Sequence, residues 1–181
     1  MEENSKQNSQ VTEWFAIRSR DDKRLREQLA AVSEEIFAPT VSRRRPGKKT
    51  LVRAAIPHVF FIKTSRRLLL ARETDARLHP DVSIPFWIYR YPASDKIQVI
   101  PESSVRLLKL ITAADDNAQC EIFTKSDFKE NEKVRVIGGI YKGYEGYVQR
   151  VKKNKHVIVR IEGVCCVMLP FIHPDLLEAA P

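Results

Sequence analysis

Apolar positions follow two different rhythms along this chain. From residue 14 to about residue 112, short β-prone runs alternate with stretches at helical spacing. WFAIRSR (14–20) opens with aromatics that favour a strand. Asp21 and Asp22 then offer an N-cap to KRLREQLAAV, in which Leu25, Leu29 and Val32 recur at helical spacing. IFAPTVSRR (36–44) is extended, Pro46-Gly47 supplies a turn, and KTLVRAAI (49–56) returns from it. VFFIKT (59–64) has the make-up of a central strand, and SRRLLLARE (65–73) that of a helix capped by Ser65. FWIYRY (86–91) and IQVI (97–100) predict two more strands. PESSVRLLKLI (101–111) starts a helix with Pro101 near its first turn. The pattern over 13–112 predicts an α+β sandwich with a mostly antiparallel sheet and two or three helices.

The rhythm changes at TAADDNAQCEIFTKSDFKENE (112–132), which is small, polar and acidic, and residues 113–129 are expected to form a linker. Its apolar Ile122, Phe123 and Phe128 should tack it loosely onto one side or the other. After it everything is strand-like. KVRVI (133–137) puts Val134 and Val136 on one face, YVQRV (147–151) leads to a basic turn at Lys152–Lys155, HVIVRI (156–161) puts Val157, Val159 and Ile161 on one face, and VCCVML (164–169) follows Gly163. Four or five short strands in 130–178 predict a small all-β barrel, because closure removes exposed edges. Four of the six glycines fall in 138–146. Gly138 and Gly139 should let the chain leave the first strand through positive φ, Gly143 should serve the next turn, and Gly146 should sit inside a strand where a side chain does not fit.

Charge sharpens this division. Of the net +8, residues 1–112 hold 21 Lys/Arg against 13 Asp/Glu, the linker is acidic, and 130–181 is only mildly basic. A polyanion near the first part of the chain is expected, with nucleic acid the usual candidate. MEENSKQNSQ lacks the apolar core of a secretory signal, so residues 1–12 read as a polar tail. No apolar run approaches the ~20 residues that span a bilayer, and a cytoplasmic chain with no membrane contact is expected. Cys120, Cys165 and Cys166 make no disulfide framework and should be small buried hydrophobes in a reducing compartment, with Cys165 and Cys166 pointing to opposite faces of a strand. His58, His79, His156 and His173 are scattered, so no metal and no cofactor are expected. Paired carboxylates, a phosphate loop and a Ser/His/Asp set are missing at suitable spacing, which argues against an enzyme; a Cys–His pair is the one catalytic arrangement that spacing leaves open.

Val134-Arg135-Val136, then Gly139, then Gly143-Tyr144-Glu145-Gly146-Tyr147-Val148 resembles the KOW motif, found in NusG-type transcription elongation factors and in several ribosomal proteins. The first half is similar to the NusG N-terminal (NGN) domain. It has Trp14-Phe15 on the first strand, a basic helix, an apolar strand that follows a proline in Ile56-Pro57-His58-Val59-Phe60-Phe61-Ile62, and Val99-Ile100-Pro101 before the last helix. His58 and Val59 depart from the family's usual Gly or Asn then Tyr. Together with VIVRIEGV and FIHPDLLE, the pattern looks most like the UpxY-type NusG paralogues of Bacteroidetes, linked to capsular polysaccharide operons, and is related to RfaH.

The resemblance implies an NGN domain over 13–112 followed by an SH3-like KOW barrel over 130–178, together forming an antitermination or anti-pausing factor that works without chemistry. It implies docking on the β′ clamp helices of RNA polymerase through an apolar sheet face, with Phe61, Ile88 and Tyr91 as the candidates. Basic residues around the first helix, Arg20, Lys23, Arg24 and Arg26, lie where relatives meet the non-template DNA strand, and Arg43, Arg44 and Arg45 at the hairpin tip are candidates for upstream DNA. The barrel's partner would be Rho or a ribosomal protein, and the chain is expected to be a monomer. The Val/Ile-rich strands argue that the barrel stays β rather than refolding as helices. The competing expectation is a KOW-type RNA-binding or ribosome-associated protein that uses the basic turn.

Overall fold

The first apolar run, Trp14 to Ile17, is continuous, so both faces of its strand must be covered, and this decides the architecture of the N-terminal half. The structure, a computed structural model, describes residues 11–43, 51–113, 121–124, 132–151 and 154–181. Strand β1 (Thr12–Arg18) pairs antiparallel with β5 (Val59–Ser65) in the register Trp14↔Lys63 and Ile17↔Phe60. With β2 (Glu35–Phe37) and β6 (Trp87–Ile88) they form a four-stranded sheet in the order β2-β5-β1-β6. Because strand side chains alternate, Phe15, Ile17, Phe60 and Ile62 share one face. They pack there with Leu25 and Leu29 of helix α1 (Asp22–Leu29) and with Leu69 and Ala76 of α2 (Arg66–Leu78). Trp14, Ala16, Val59 and Phe61 belong to the opposite face and cluster with Val105, Leu107, Leu108 and Ile111 of α3 (Glu102–Ala113). Each of these large buried side chains contributes about 1.5–3 kcal/mol relative to exposure.

The helix starts follow local chemistry. Asp21 caps α1 by accepting the Arg24 N–H at 3.2 Å, and Ser65 caps α2 by accepting the Leu68 N–H at 3.3 Å. Glu102, in the first turn of α3, accepts the Trp14 indole N–H at 2.7 Å, which ties that helix to β1. A separate two-stranded ribbon, β3 (Thr40–Arg43) with β4 (Leu51–Ala54), projects from the sheet with β4 exposed along its length.

Two expected strands are shorter than their sequences suggest. Of FWIYRY only Trp87–Ile88 is regular strand, and IQVI contributes isolated bridges, Arg90↔Ile97 and Trp14↔Ile100. The flanking Pro85 and Pro92 cannot donate to a ladder. The Ile88 N–H is taken by the Glu73 carboxylate at 3.0 Å rather than by a neighbouring strand.

The C-terminal part is a six-stranded antiparallel sheet in the order β12-β8-β9-β10-β11-β7. Its strands are β7 (Glu121–Phe123), β8 (Lys133–Val136), β9 (Glu145–Val151), β10 (Asn154–Ile161), β11 (Cys165–Met168) and β12 (Leu177–Ala179). Val134, Val136, Val157, Val159, Ile161, Cys165, Val167 and Leu169 join the same apolar cluster as Trp14 and Phe61, while Cys166 packs with Ile158 and Met168 in a second, small one. The two cysteines thus part to opposite faces, as alternation demands. The fold is α+β: among the described residues the α-helices lie in the first part, and the second holds strands and a short 3-10 turn. Among the described residues no strand pairing joins β12 to β7.

Two details differ from expectation. Ile122 and Phe123 are not loosely tacked: they belong to β7, a regular edge strand paired with β11 through Ile122↔Val167 and Phe123↔Cys166. Phe128 and Cys120 lie outside the described residues. Gly138 does not take a positive φ; Gly139 (+74°) and Gly143 (+89°) do. Gly138 instead lies against Leu176, whose Cδ2 is 2.9 Å from where a Cβ would stand.

The two parts touch. The side-chain amide of Gln98, itself buried, donates from Nε2 to the Glu162 carbonyl, and Tyr89 lies near Cys165. Burial pushes the Cys165 thiol up to about 12. The neutral thiol is therefore what folding favours. Its stabilising contribution is complete below the ordinary thiol range and is lost as pH rises from there toward 12. At pH 8 Cys165 should resist iodoacetamide in the native protein and react in urea, which mass spectrometry of the alkylated peptides would show. Equal labelling in both states would contradict this burial.

Candidate functional site

The end of the sheet where β1, β5 and β6 meet carries a groove of about 740 Å³, lined by Arg18, Ser19, Arg20, His58, Trp87, Ile88 and Tyr89. Ser19 knots three chain segments together there. Its N–H donates to the His58 carbonyl at 3.1 Å, its hydroxyl donates to the Pro85 carbonyl at 3.1 Å, and its Oγ accepts the Asp21 N–H at 3.3 Å. His58 holds φ at +64°, a left-handed conformation that costs a non-glycine residue roughly 1–2 kcal/mol. That conformation turns the chain into β5 immediately beside the groove.

Alternation sorts the β6 aromatics. Phe86 and Ile88 are buried on the α1/α2 face, so Trp87 and Tyr89 belong to the other. Trp87 is 56% exposed and lies directly across from Arg18 in the β1–β6 register. Tyr89 is half-buried. Desolvation raises its phenol pKa above the usual value, against an opposing pull from the positive charge of Arg18. The groove thus offers an exposed indole, a phenol and two exposed guanidinium groups (Arg18 and Arg20), with His58 on its wall.

The expected polymerase-binding trio does not form a common surface. Phe61 is fully buried on the α3 side, stacked on Phe37 with ring centroids 6.2 Å apart, and Ile88 is buried on the opposite face. Tyr91 is exposed but lines a different depression, with Arg66, Leu70 and Lys96. The correction is that Phe61 and Ile88 are core positions: both faces of β5 are covered, whereas beside Ile88 alternation leaves Trp87 open and Tyr89 half-buried. The phase of FWIYRY between two prolines was the available signal, since Phe86 and Ile88 in the core leave Trp87 outside.

Of the basic residues expected near the first helix, Arg20 lines the groove, whereas Lys23, Arg24 and Arg26 are exposed on α1 away from its lining. Arg24 sits 3.8 Å from Asp21, and Arg26 donates to the Asp22 carbonyl at 3.2 Å. Arg43 ends strand β3 opposite Leu51; Arg44 and Arg45 lie outside the described residues. Arg18, Ser19, Trp87 and Tyr89 are groove residues to which no sequence motif pointed, and His58 stood out there only as a departure from the family pattern.

In the C-terminal sheet, Val134 and Val136 are buried and Val148 is partly buried, and Gly139 and Gly143 make the turn between β8 and β9. Arg135 donates to Glu145 at 2.6 Å and lies 3.5 Å from Glu178, while Lys133 lies 3.1 Å from Glu145. Hydrogen bonds from Arg135 and then Lys133 hold the Glu145 carboxyl below its usual pKa. These residues do structural work. Among the described residues no group of three or more His, Cys, Asp or Glu could hold a metal, and no helix is long and apolar enough to cross a membrane.

No protein-family model and no curated protein matches the chain. Among solved structures it is similar to NusG from Thermotoga maritima, determined in work on domain interaction, with a TM-score of 0.47 and 14% sequence identity, covering 94% of this chain and 98% of that one.

Proposed function

We propose that this chain is a NusG-like transcription elongation or antitermination factor whose working surface is the groove at the β1–β6 end of the N-terminal sheet. The observation that carries the reading is the exposed Trp87 opposite Arg18, with Arg20 and Tyr89 beside it. An indole flanked by guanidinium groups suits two neighbouring tasks on a transcribing polymerase. Its apolar face can anchor on a protein helix, since exposed Trp and Arg are the residue types that dominate binding energy at interfaces. The guanidinium groups can hold the phosphates of one displaced DNA strand while a base stacks on the ring.

RNA polymerase, through its β′ clamp helices, is the proposed principal partner, and the non-template strand the second. Arg20, Lys23, Arg24 and Arg26 extend the basic margin from the groove onto α1, and Arg43, Arg44 and Arg45 would add a contact to upstream DNA. Binding would favour the elongating polymerase by shifting a population rather than by catalysing a reaction. Service to surface-polysaccharide operons in the UpxY manner, and Rho or a ribosomal protein as partner of the C-terminal sheet, complete the proposal.

The test is a pull-down of purified RNA polymerase on the full chain, with Trp87→Ala alongside. Wild type should retain polymerase, and the variant should lose tenfold or more in affinity, on the order of 2 kcal/mol for an aromatic anchor. Failure of the wild-type chain to retain polymerase overturns the proposal. An undiminished variant removes Trp87 from the docking surface.

A further inference from the structure

A second crevice lies between the two parts of the protein, away from the Trp87 groove. It measures about 570 Å³, within the ~300–1,000 Å³ typical of small-molecule sites. One wall is the first turns of α3, with Ser103, Ser104 and Arg106. The other is the C-terminal sheet, with Lys142 and Tyr144 in the β8–β9 turn and Arg160 on β10.

Arg106 and Lys142 bring positive charge to opposite walls of this crevice. Glu145 is the one carboxylate in the lining, and it is already engaged by Arg135 at 2.6 Å and Lys133 at 3.1 Å. Among the described residues no carboxylate comes within ion-pair distance of Arg106 or Lys142, and Arg160 packs over the Tyr147 ring at 5.4 Å. Tyr144 is near enough to feel the charge of Arg106, and desolvation, the larger influence, keeps its phenol protonated and able to donate. Two exposed cations lining one open crevice raise the local concentration of anions there.

We infer that this crevice binds a phosphate-bearing anion, held between Arg106 of α3 and Lys142 of the β8–β9 turn, and that the bound anion clamps the two parts together. A guanidinium offers paired donors that match phosphate oxygens, an ammonium adds a mobile point charge, and the Ser103, Ser104 and Tyr144 hydroxyls supply neutral donors around them. Ile140 leaves part of the wall apolar, so a nucleotide can place its base there while the phosphates meet the cations. A ligand that touches both walls binds the docked arrangement better than a separated one, and so stabilises it by mass action. The inference does not depend on polymerase binding and stands or falls separately from it.

The experiment is an NMR titration of the full chain with pyrophosphate, ATP and adenosine at physiological ionic strength. Pyrophosphate and ATP should shift the amides of residues 103–106 and 140–145 saturably, with half-saturation below about 1 mM. Adenosine should leave them in place. The exposed double variant Arg106→Gln with Lys142→Gln should weaken both anions tenfold or more, and both should raise the wild-type melting temperature in a concentration-dependent way. Tighter binding of ATP than of pyrophosphate assigns the site to nucleotides, and equal binding assigns it to the phosphate group alone. Absence of saturable shifts, shifts confined to the Arg18/Arg20 groove, or unchanged affinity in the double variant overturns the inference.

Discussion

Replacing Gly146 with valine should unfold the C-terminal sheet while leaving the N-terminal sheet intact. A Cβ on residue 146 would stand 2.5 Å from the Ile158 carbonyl oxygen and 2.8 Å from Val157 Cγ1. Backbone on the neighbouring strand cannot move aside without breaking the β9–β10 ladder, which runs from Asn154↔Val151 to Ile158↔Tyr147. Overpacking of this kind costs about 1–3 kcal/mol even where side chains can adjust. Here the obstacle is a ladder carbonyl, so at least about 3 kcal/mol is expected, a large share of the stability of a small domain. In two-dimensional NMR spectra the amides of β8 to β11 should collapse toward random-coil shifts, while those of β1 and β5 keep their dispersion. Even Gly146→Ala should show most of the loss. A well-dispersed alanine variant with unchanged urea midpoint would show that the strands do not approach so closely.

Removing Glu73 should have the next largest effect, and it should reach the proposed binding groove. Glu73 is 4% exposed on α2, accepts the Ile88 N–H at 3.0 Å, and pairs with Arg90 at 3.0 Å. Glu73→Ala leaves the buried Ile88 N–H without its acceptor and the Arg90 guanidinium with the Ile88 carbonyl at 3.1 Å in place of a carboxylate. Loss of one member of a buried pair costs ~3–5 kcal/mol. The side chain of Arg90 is 31% exposed, so screening by solvent reduces this to about 2–3 kcal/mol. Glu73→Gln keeps an amide oxygen for Ile88 and should lose about half as much. Urea denaturation of the two variants measures both values. Because Ile88 adjoins Trp87 and Tyr89, Glu73→Ala should also weaken polymerase retention, whereas a variant as stable as wild type would show that β6 is held mainly by its pairing with β1.

Both predictions rest on contacts between residues far apart in the chain, and that marks how far the sequence alone could go. Asp21 and Ser65 were legible as helix caps because a cap is settled within three or four residues. Val157, Val159 and Ile161 were legible as one buried face, and Cys165 and Cys166 as facing apart, because period two is a local property of strands. The choice of Phe61 and Ile88 as open docking residues failed for a related reason. Alternation says which residues share a face, but what covers each face depends on α2 and α3 packing from elsewhere. The Trp87 groove needed Ser19 to bring residues 19, 58 and 85 together, and no spacing in the sequence reports that.

By itself, then, the sequence determined the division into a mixed first part and a strand-rich second part, the α+β class, and the need for glycine at 139 and 143, where φ is positive, and at 146, where a Cβ has no space. Those features follow from local periodicity, capping and backbone conformation, which act over a few residues. The tertiary structure alone decided that Ile122 and Phe123 leave the acidic segment to become an edge strand, that Trp87 rather than Phe61 is open, and that Arg106 and Lys142 face one crevice. Those outcomes depend on which surfaces come together to bury apolar area. That is a property of the assembled fold and of distances across it, to which residue order gives no direct access.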